Sequence, residues 1–374
     1  MNYFRHVGPS IAIAGLIGCS GTYQVGGDAA RAGTSNANTN TNAGTTDVGG
    51  APSSVVSSGG SDAANSQGGI FPSNDPGSDP DAPAFCGRQL PTAHSIELAP
   101  PAVVYQRVLK FLYDTDPVIP DDLPSETTRE WAGSFAVGAL AVVSTPTVAG
   151  MDRFVKNWWG TPTPEFSSMY FNARGNTLTD LLTGQIQVPK GAGLLTDPAV
   201  LSQPFITARG NFINNRLLCA QLLPSDPSTV TQLRPGQTRR SEVEQLTAPA
   251  TCAGCHKLVD PFGFALENFT TDGTFRTIEN DLTIDTNAVL SLPQTGQVSV
   301  RDAPSMGLAL AKSCEVALCL TQQLLHDAAV SAQLPNEAST AEAVQIAARF
   351  TAAGLSLTEL VRLVVESDAF LAPN

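Results

Sequence analysis

The chain is poor in histidine and methionine, with four of each in 374 residues, and only 6% of it is aromatic. So few histidines leave little room for a histidine-rich metal cluster or for several acid–base pairs. No Ser-His-Asp arrangement, phosphate-binding glycine loop or zinc-protease motif is present. Basic residues are scarce as well: 21 Lys and Arg face 34 Asp and Glu, for a net charge of −13. An acidic surface argues against nucleic acid and anionic lipid as partners. After residue 19 no apolar run reaches bilayer-spanning length. The longest, Ala132–Val143, holds Ser134 and two glycines and reads as a buried helix.

What is there begins with an address. Residues 1–18 carry Arg5 and then a short apolar run, and they end in Leu16-Ile17-Gly18 before Cys19. A charged start, a short apolar segment and a small residue before the cut describe a secretory signal. The ending resembles a bacterial lipobox, which implies that Cys19 is acylated. Ser20 behind it would not retain the chain at the inner membrane, so an outer-membrane lipoprotein facing the periplasm or the cell surface is expected. Membrane contact is then through the N-terminal lipid alone. Residues 19–84 are rich in Gly, Ser, Asn and Thr, with six aspartates, one arginine and almost no aliphatic clusters. Such a stretch cannot bury enough apolar area to offset its ordering entropy, and it reads as a disordered tether.

The motif with the most chemistry is Cys252-Ala253-Gly254-Cys255-His256, the Cys-x-x-Cys-His pattern of a c-type haem attachment site. By the chain's own Cys and His frequencies it arises by chance in roughly one chain in a thousand of this length. Two thiols three positions apart can each form a thioether to one porphyrin. The next residue, His256, then lies under the same ring as an axial iron ligand. A zinc knuckle would need a second ligand pair nearby, and a thioredoxin-like redox pair would need a βαβ unit; neither is evident. One covalent haem c is therefore expected. Asp260-Pro261 is expected to end the ligand helix early.

The periodicity is helical almost throughout. Pro100-Pro101 opens a helix with Val104, Val108, Phe111 and Leu112 on one face. Further helices are expected at 125–140, 151–158, 177–186, 205–222 and 238–246. After the motif come 304–313 running on to about 333, then 340–353 and 356–370. The last opens with the capping-box pattern Ser356-Leu357-Thr358-Glu359. Leu282–Leu292 reads as a short strand or hairpin. The expected class is mainly α, an irregular helical cytochrome c-like domain packed with flanking helical segments and little β. The expected divisions are a helical region at 85–223, a haem-binding region at 224–300 and a C-terminal helical domain at 301–374.

Three blocks carry a family likeness. The first is Gly193-Leu194-Leu195-Thr196 with Arg209-Gly210-Asn211-Phe212-Ile213 and Arg216-Leu217-Leu218-Cys219. The second runs from Cys252 through Asp260-Pro261-Phe262-Gly263-Phe264-Ala265-Leu266-Glu267-Asn268-Phe269 to Gly273 and Arg276. The third is Cys319 with the ending Glu366-Ser367-Asp368-Ala369-Phe370. Over about residues 150–374 the chain resembles the planctomycete-type cytochrome c family of exported proteins, which are built around one Cys-x-x-Cys-His block. The resemblance implies a haem-binding, electron-transferring protein and supplies no substrate. It departs at Thr270, where the family usually has Asp. It departs again at His326-Asp327-Ala328-Ala329-Val330, where a Tyr-Ala-x-Gly-Arg segment is usual.

Around the motif, Phe262, Phe264, Leu266 and Phe269 are expected to wall the porphyrin. Arg276 is the first candidate for a haem propionate, with Lys257 and Arg240 behind it. Met306 leads the candidates for a distal iron ligand, followed by His326 and by Met151 and Met169, with a five-coordinate iron or another ligand as the remaining alternative. Trp158-Trp159 offers an electron path or plain core. Apart from Cys19 and the motif pair, Cys86, Cys219, Cys314 and Cys319 remain, an even number with three possible pairings. Cys314 and Cys319 are five apart on an expected helix and point to different sides, which disfavours that pairing. Family position implies Cys219–Cys319 and leaves Cys86–Cys314. The expected partner is a redox protein or a small electron donor or acceptor. A haem enzyme, peroxidase-like or substrate-oxidising, and a surface interaction lipoprotein with structural haem are the alternatives.

Overall fold

A computed structural model describes residues 83–92, 94–141, 148–160, 170–171, 176–184, 191–220 and 234–374. The leader, Cys19, nearly all of the tether and Met169 lie outside the described residues. Ala84, assigned above to the tether, starts a strand.

The described residues are mainly α. Helix α1 (Pro101–Tyr113) has proline at its first position, where no amide donor is needed. It buries Val104, Val108, Phe111 and Leu112 as the periodicity demands, and Arg107 with them. The Arg107 guanidinium donates to the carbonyls of Phe370 and Ala372, each at 2.7 Å, and so holds the C-terminal end against α1. Helices α2 (Arg129–Ala141) and α3 (Ala149–Trp159) follow, then α4 (Leu178–Thr183), whose Thr177 and Asp180 form a capping box. A 3-10 turn at Gly193–Thr196 leads to α5 (Pro198–Leu201) and α6 (Ile206–Leu217). Helix α7 (Arg239–Thr247) is capped by Thr238 and Ser241, and α8 (Ala250–Phe264) carries the motif.

Among the described residues strands occur only as antiparallel pairs. β1 (Ala84–Phe85) pairs with β2 (Arg88–Gln89), and β3 (Ile278–Glu279) with β4 (Leu282–Thr283). Both turns put two residues at positive φ, Cys86-Gly87 and Asn280-Asp281, as a tight two-residue hairpin requires. β5 (Ala288–Leu292) pairs with β6 (Gly296–Val300), so the stretch 282–292, expected as a short strand or hairpin, holds one arm of each of two hairpins, β4 and β5. Ala288, Leu290 and Leu292 form its buried face.

The long helix expected from 304 to about 333 is two helices, α9 (Ala303–Ala311) and α10 (Cys314–Ser331), bent by 74°. Ser313 causes the break, because its side chain accepts from the Val316 amide and starts a new helix. Helix α11 (Thr340–Ala352) falls as expected. The helix expected over 356–370 divides into α12 (Leu357–Val365) and α13 (Asp368–Leu371), with Ser367 capping the second. Ser356 caps α12 by accepting from the Glu359 amide, while the Glu359 carboxylate binds the Arg362 guanidinium.

One hydrophobic cluster runs through α1, α3, α6, α8, β5 and α9–α13, so it crosses residues 223/224 and 300/301. Two disulfides tie distant parts of the chain, Cys86–Cys314 and Cys219–Cys319. No single described helix is long and apolar enough to cross a membrane.

Candidate functional site

Helix α8 has two unlike halves. Its last six residues, apart from Pro261, are buried, while Ala250–Leu258 lie partly or fully at the surface. The buried half anchors the helix and the other half displays the motif. Cys252, Cys255 and His256 stand at i, i+3 and i+4, so two thiols and an imidazole share one helical face. Both thiols are partly exposed and unpaired, whereas the other four described cysteines are in disulfides. Leu246 on α7 and Leu258 on α8 leave apolar surface exposed on the two helices that frame the motif, at 54% and 39%.

The anchor is a close crossing of α8 on α6. A Cβ on Gly263 would stand 2.1 Å from the carbonyl oxygen of Ile206, and one on Gly210 would stand 2.1 Å from that of Val259. One glycine from each helix therefore lets the two backbones touch. At that distance Thr207 Oγ1 donates to Asp260 Oδ1 at 2.6 Å. His256 Nδ1 lies 3.2 Å from Asp260 Oδ1 and 3.1 Å from Oδ2. A carboxylate only accepts, so Nδ1 carries a proton, and in the neutral ring Nε2 keeps its lone pair for another partner. The Asp260 side chain is 4% exposed and that of His256 is 24% exposed, so the pair is sealed on the Asp side and open on the ring side.

This corrects the expectation that Asp260-Pro261 ends the ligand helix. The helix continues to Phe264 with Pro261 inside it. The carbonyl that loses its donor to the proline ring is that of Lys257, an exposed residue on the surface half of the helix. Because the helix continues, Asp260 falls one turn after His256 and becomes its partner. Asp260 and Thr207 are the site residues that sequence reasoning missed. The signal was a carboxylate four residues after a histidine, hidden by reading the proline as a stop.

A second polar cluster lies beneath. Arg209 on α6 donates to the carbonyls of Phe269 at 2.8 Å and Leu201 at 3.0 Å. Its guanidinium lies 3.9 Å from the Glu267 carboxylate. Burial pushes the Glu267 carboxyl up to about 7, against the pull of Arg209.

The other expected site residues are placed as follows. Phe262 is fully buried in the core, and Phe269 is buried edge-on to Phe275. Leu266 is also core, and Phe264 is covered by the Arg240 guanidinium 4.5 Å above its ring. Arg276 is engaged by Glu279 at 2.7 Å and lies 3.9 Å from Glu267, so carboxylates of the chain already hold it. Arg240 binds Glu244 and the carbonyls of Asp285 and Asn287. Lys257 is exposed. Met306 and Met151 are fully buried among apolar side chains. His326 is 62% exposed on α10, 3.5 Å from Glu337, and His94 is 66% exposed beside Asp368. Trp158 and Trp159 sit in an aromatic core cluster with Phe154 and Phe212, and Trp158 Nε1 donates to the Arg216 carbonyl at 2.7 Å.

Residues 190–279 match a cytochrome-like family model, PSCyt3: Protein of unknown function (DUF1588). The match encloses the Cys252–His256 motif, Asp260, Thr207, both helix-crossing glycines and the Arg209–Glu267 pair. It is narrower than the stretch of about 150–374 over which the resemblance was drawn, and the third block falls outside it. No curated protein and no solved structure matches the chain.

Proposed function

We propose that α8 carries one covalent c-type haem and that the chain is an exported, lipid-anchored monohaem cytochrome that passes single electrons. One observation carries this reading: two free thiols and an imidazole share a helical face, and the imidazole has its Nδ1 proton engaged by Asp260. Cys252 and Cys255 would hold the group through thioethers, and His256 Nε2 would be its axial ligand. Exposed Leu246 and Leu258 offer apolar contact to a flat macrocycle. When bound, the group supplies a one-electron iron couple.

The chain's own residues do the rest. Asp260 holds the ring in one tautomer and one orientation. The glycine contacts between α6 and α8 set the height of the motif over the core. An acidic chain suits docking to a basic redox partner. Two disulfides suit an oxidising compartment outside the cytosol, in line with the leader and Cys19. Haem, export and lipid attachment stand together in this proposal, since c-type haem is attached after export.

A second reading, a haem enzyme, draws on the burial of Met306 and Met151 in the core. If neither thioether reaches the metal, a distal position is left for a small ligand.

The test is a pyridine haemochrome spectrum of the full chain matured with haem-attachment machinery. One thioether-linked haem per chain is expected, and none in the Cys252→Ala/Cys255→Ala variant. A colourless chain with both thiols open to alkylation would refute the proposal. Ferric protein that is unmoved by cyanide supports electron transfer, and high-spin protein that reacts with peroxide supports the enzyme.

A further inference from the structure

Three groups in a row connect the core to the motif. Thr207 Oγ1 donates to Asp260 at 2.6 Å, and Asp260 accepts from His256 Nδ1 at 3.1 Å. They come from two helices whose backbones touch, and Asp260 is sealed from water. We infer that Thr207 and Asp260 are positioning residues that set the electron-donating strength of His256, and with it the redox potential of the group it would ligate. The inference rests on the haem reading above and goes beyond it, because it assigns opposite effects to the two residues.

A ring that donates Nδ1–H to a carboxylate gains anionic character at Nε2 and becomes a stronger ligand. A stronger, more anionic donor favours ferric over ferrous iron, which lowers the midpoint potential. Burial sharpens the effect, since little of the Asp260 side chain is open to solvent. Thr207 works the other way. Its hydroxyl donates to the same Oδ1 that lies 3.2 Å from His256 Nδ1. Each donor that Asp260 satisfies reduces what it can draw from the next. Thr207 therefore moderates the pull of Asp260 on the imidazole, and the pair holds the potential between two extremes.

The experiment is a spectroelectrochemical titration of the full haem-loaded chain, with haem content measured first. Asp260→Asn removes the anionic acceptor. It should favour the ferrous state by about tenfold, an upward shift of about 59 mV for a one-electron couple. Thr207→Val removes a hydroxyl and no charge. It should favour the ferric state by several-fold, moving the potential down, and Thr207→Ser should return it to the wild-type value. A merely structural role for Thr207 would not reverse the sign.

Thr207→Val at the wild-type potential, or shifted upward like Asp260→Asn, would overturn the inference. Asp260 would then act as a nearby charge alone. If Asp260→Asn fails to mature, the Thr207 pair still decides. Haem-loaded protein with unmoved potentials sinks this inference and leaves the haem reading standing. A chain that never takes up haem removes both.

Discussion

Arg209 and Glu267 lie side by side beneath the motif helix, 3.9 Å apart, with side chains 5% and 6% exposed. The ion pair does not hold Glu267 in the usual carboxylate range. Burial is the larger effect and raises the group from its ordinary 4.5 to about 7, with Glu279 adding to the rise and Arg276 opposing it. A folded-state value above the unfolded one means the protonated form stabilises the fold. That contribution is full below about pH 4.5 and is lost as the pH rises through 7. Glu267→Gln keeps the shape and removes the titration. Relative to wild type the variant should gain stability between pH 4.5 and 7, by at most roughly 3 kcal/mol. Urea denaturation of both proteins at several pH values checks this, and parallel curves would refute it.

The α6–α8 crossing predicts the cost of a methyl group. Alanine in place of a helical glycine ordinarily gains about 1 kcal/mol. At Gly210 and Gly263 the new Cβ meets backbone oxygen, which cannot swing away, so a net loss of about 1–3 kcal/mol is expected. Gly138 is the control: it is exposed on α2 with nothing within 4 Å, and Gly138→Ala should be neutral or stabilising. Thermal unfolding of the three variants decides, and a stabilised Gly263→Ala would mean the helices do not touch.

Cys219 and Cys319, 100 residues apart in sequence, link the segment just after α6 to the second turn of α10. Replacing both with serine should cost about 2–4 kcal/mol, because the unfolded chain regains the freedom that the link removed. The urea midpoint of the double variant measures it. Non-reducing peptide mapping of the variant should still recover Cys86–Cys314, and in the wild-type protein a Cys314–Cys319 peptide would contradict the pairing.

Met306 was the first candidate for a distal iron ligand, yet it is 0% exposed in the core. Met306→Leu conserves volume and should cost less than about 1.5 kcal/mol. The ferric and ferrous spectra of the haem-loaded variant should match those of wild type. A spectral change with the fold intact would show that the thioether leaves the core to reach the metal.

Much of the site was legible because it is local. Cys252, Cys255 and His256 share a face in any helix, whatever surrounds them. The stop assigned to Pro261 failed for a physical reason: the rule against interior proline weighs a lost hydrogen bond, and here the carbonyl involved belongs to an exposed residue. The propionate role given to Arg276 was open in sequence, since nothing local places Glu279 and Glu267 against it. The porphyrin wall assigned to Phe262 and Phe269 was equally open, because an aromatic stripe has the same spacing whether it faces a cofactor or the core.

By itself the amino-acid order determined the helical class, the common face of the two thiols and the imidazole, and an even set of remaining cysteines. These follow from periods of a few residues and from counting. Only the tertiary structure decided that Asp260 holds the imidazole and that Thr207, 53 residues away, holds Asp260. It also decided that Met306 is core and that Arg276 is already paired. The partner of a polar group depends on which distant backbone comes close enough, and that closeness was set by two glycines on different helices.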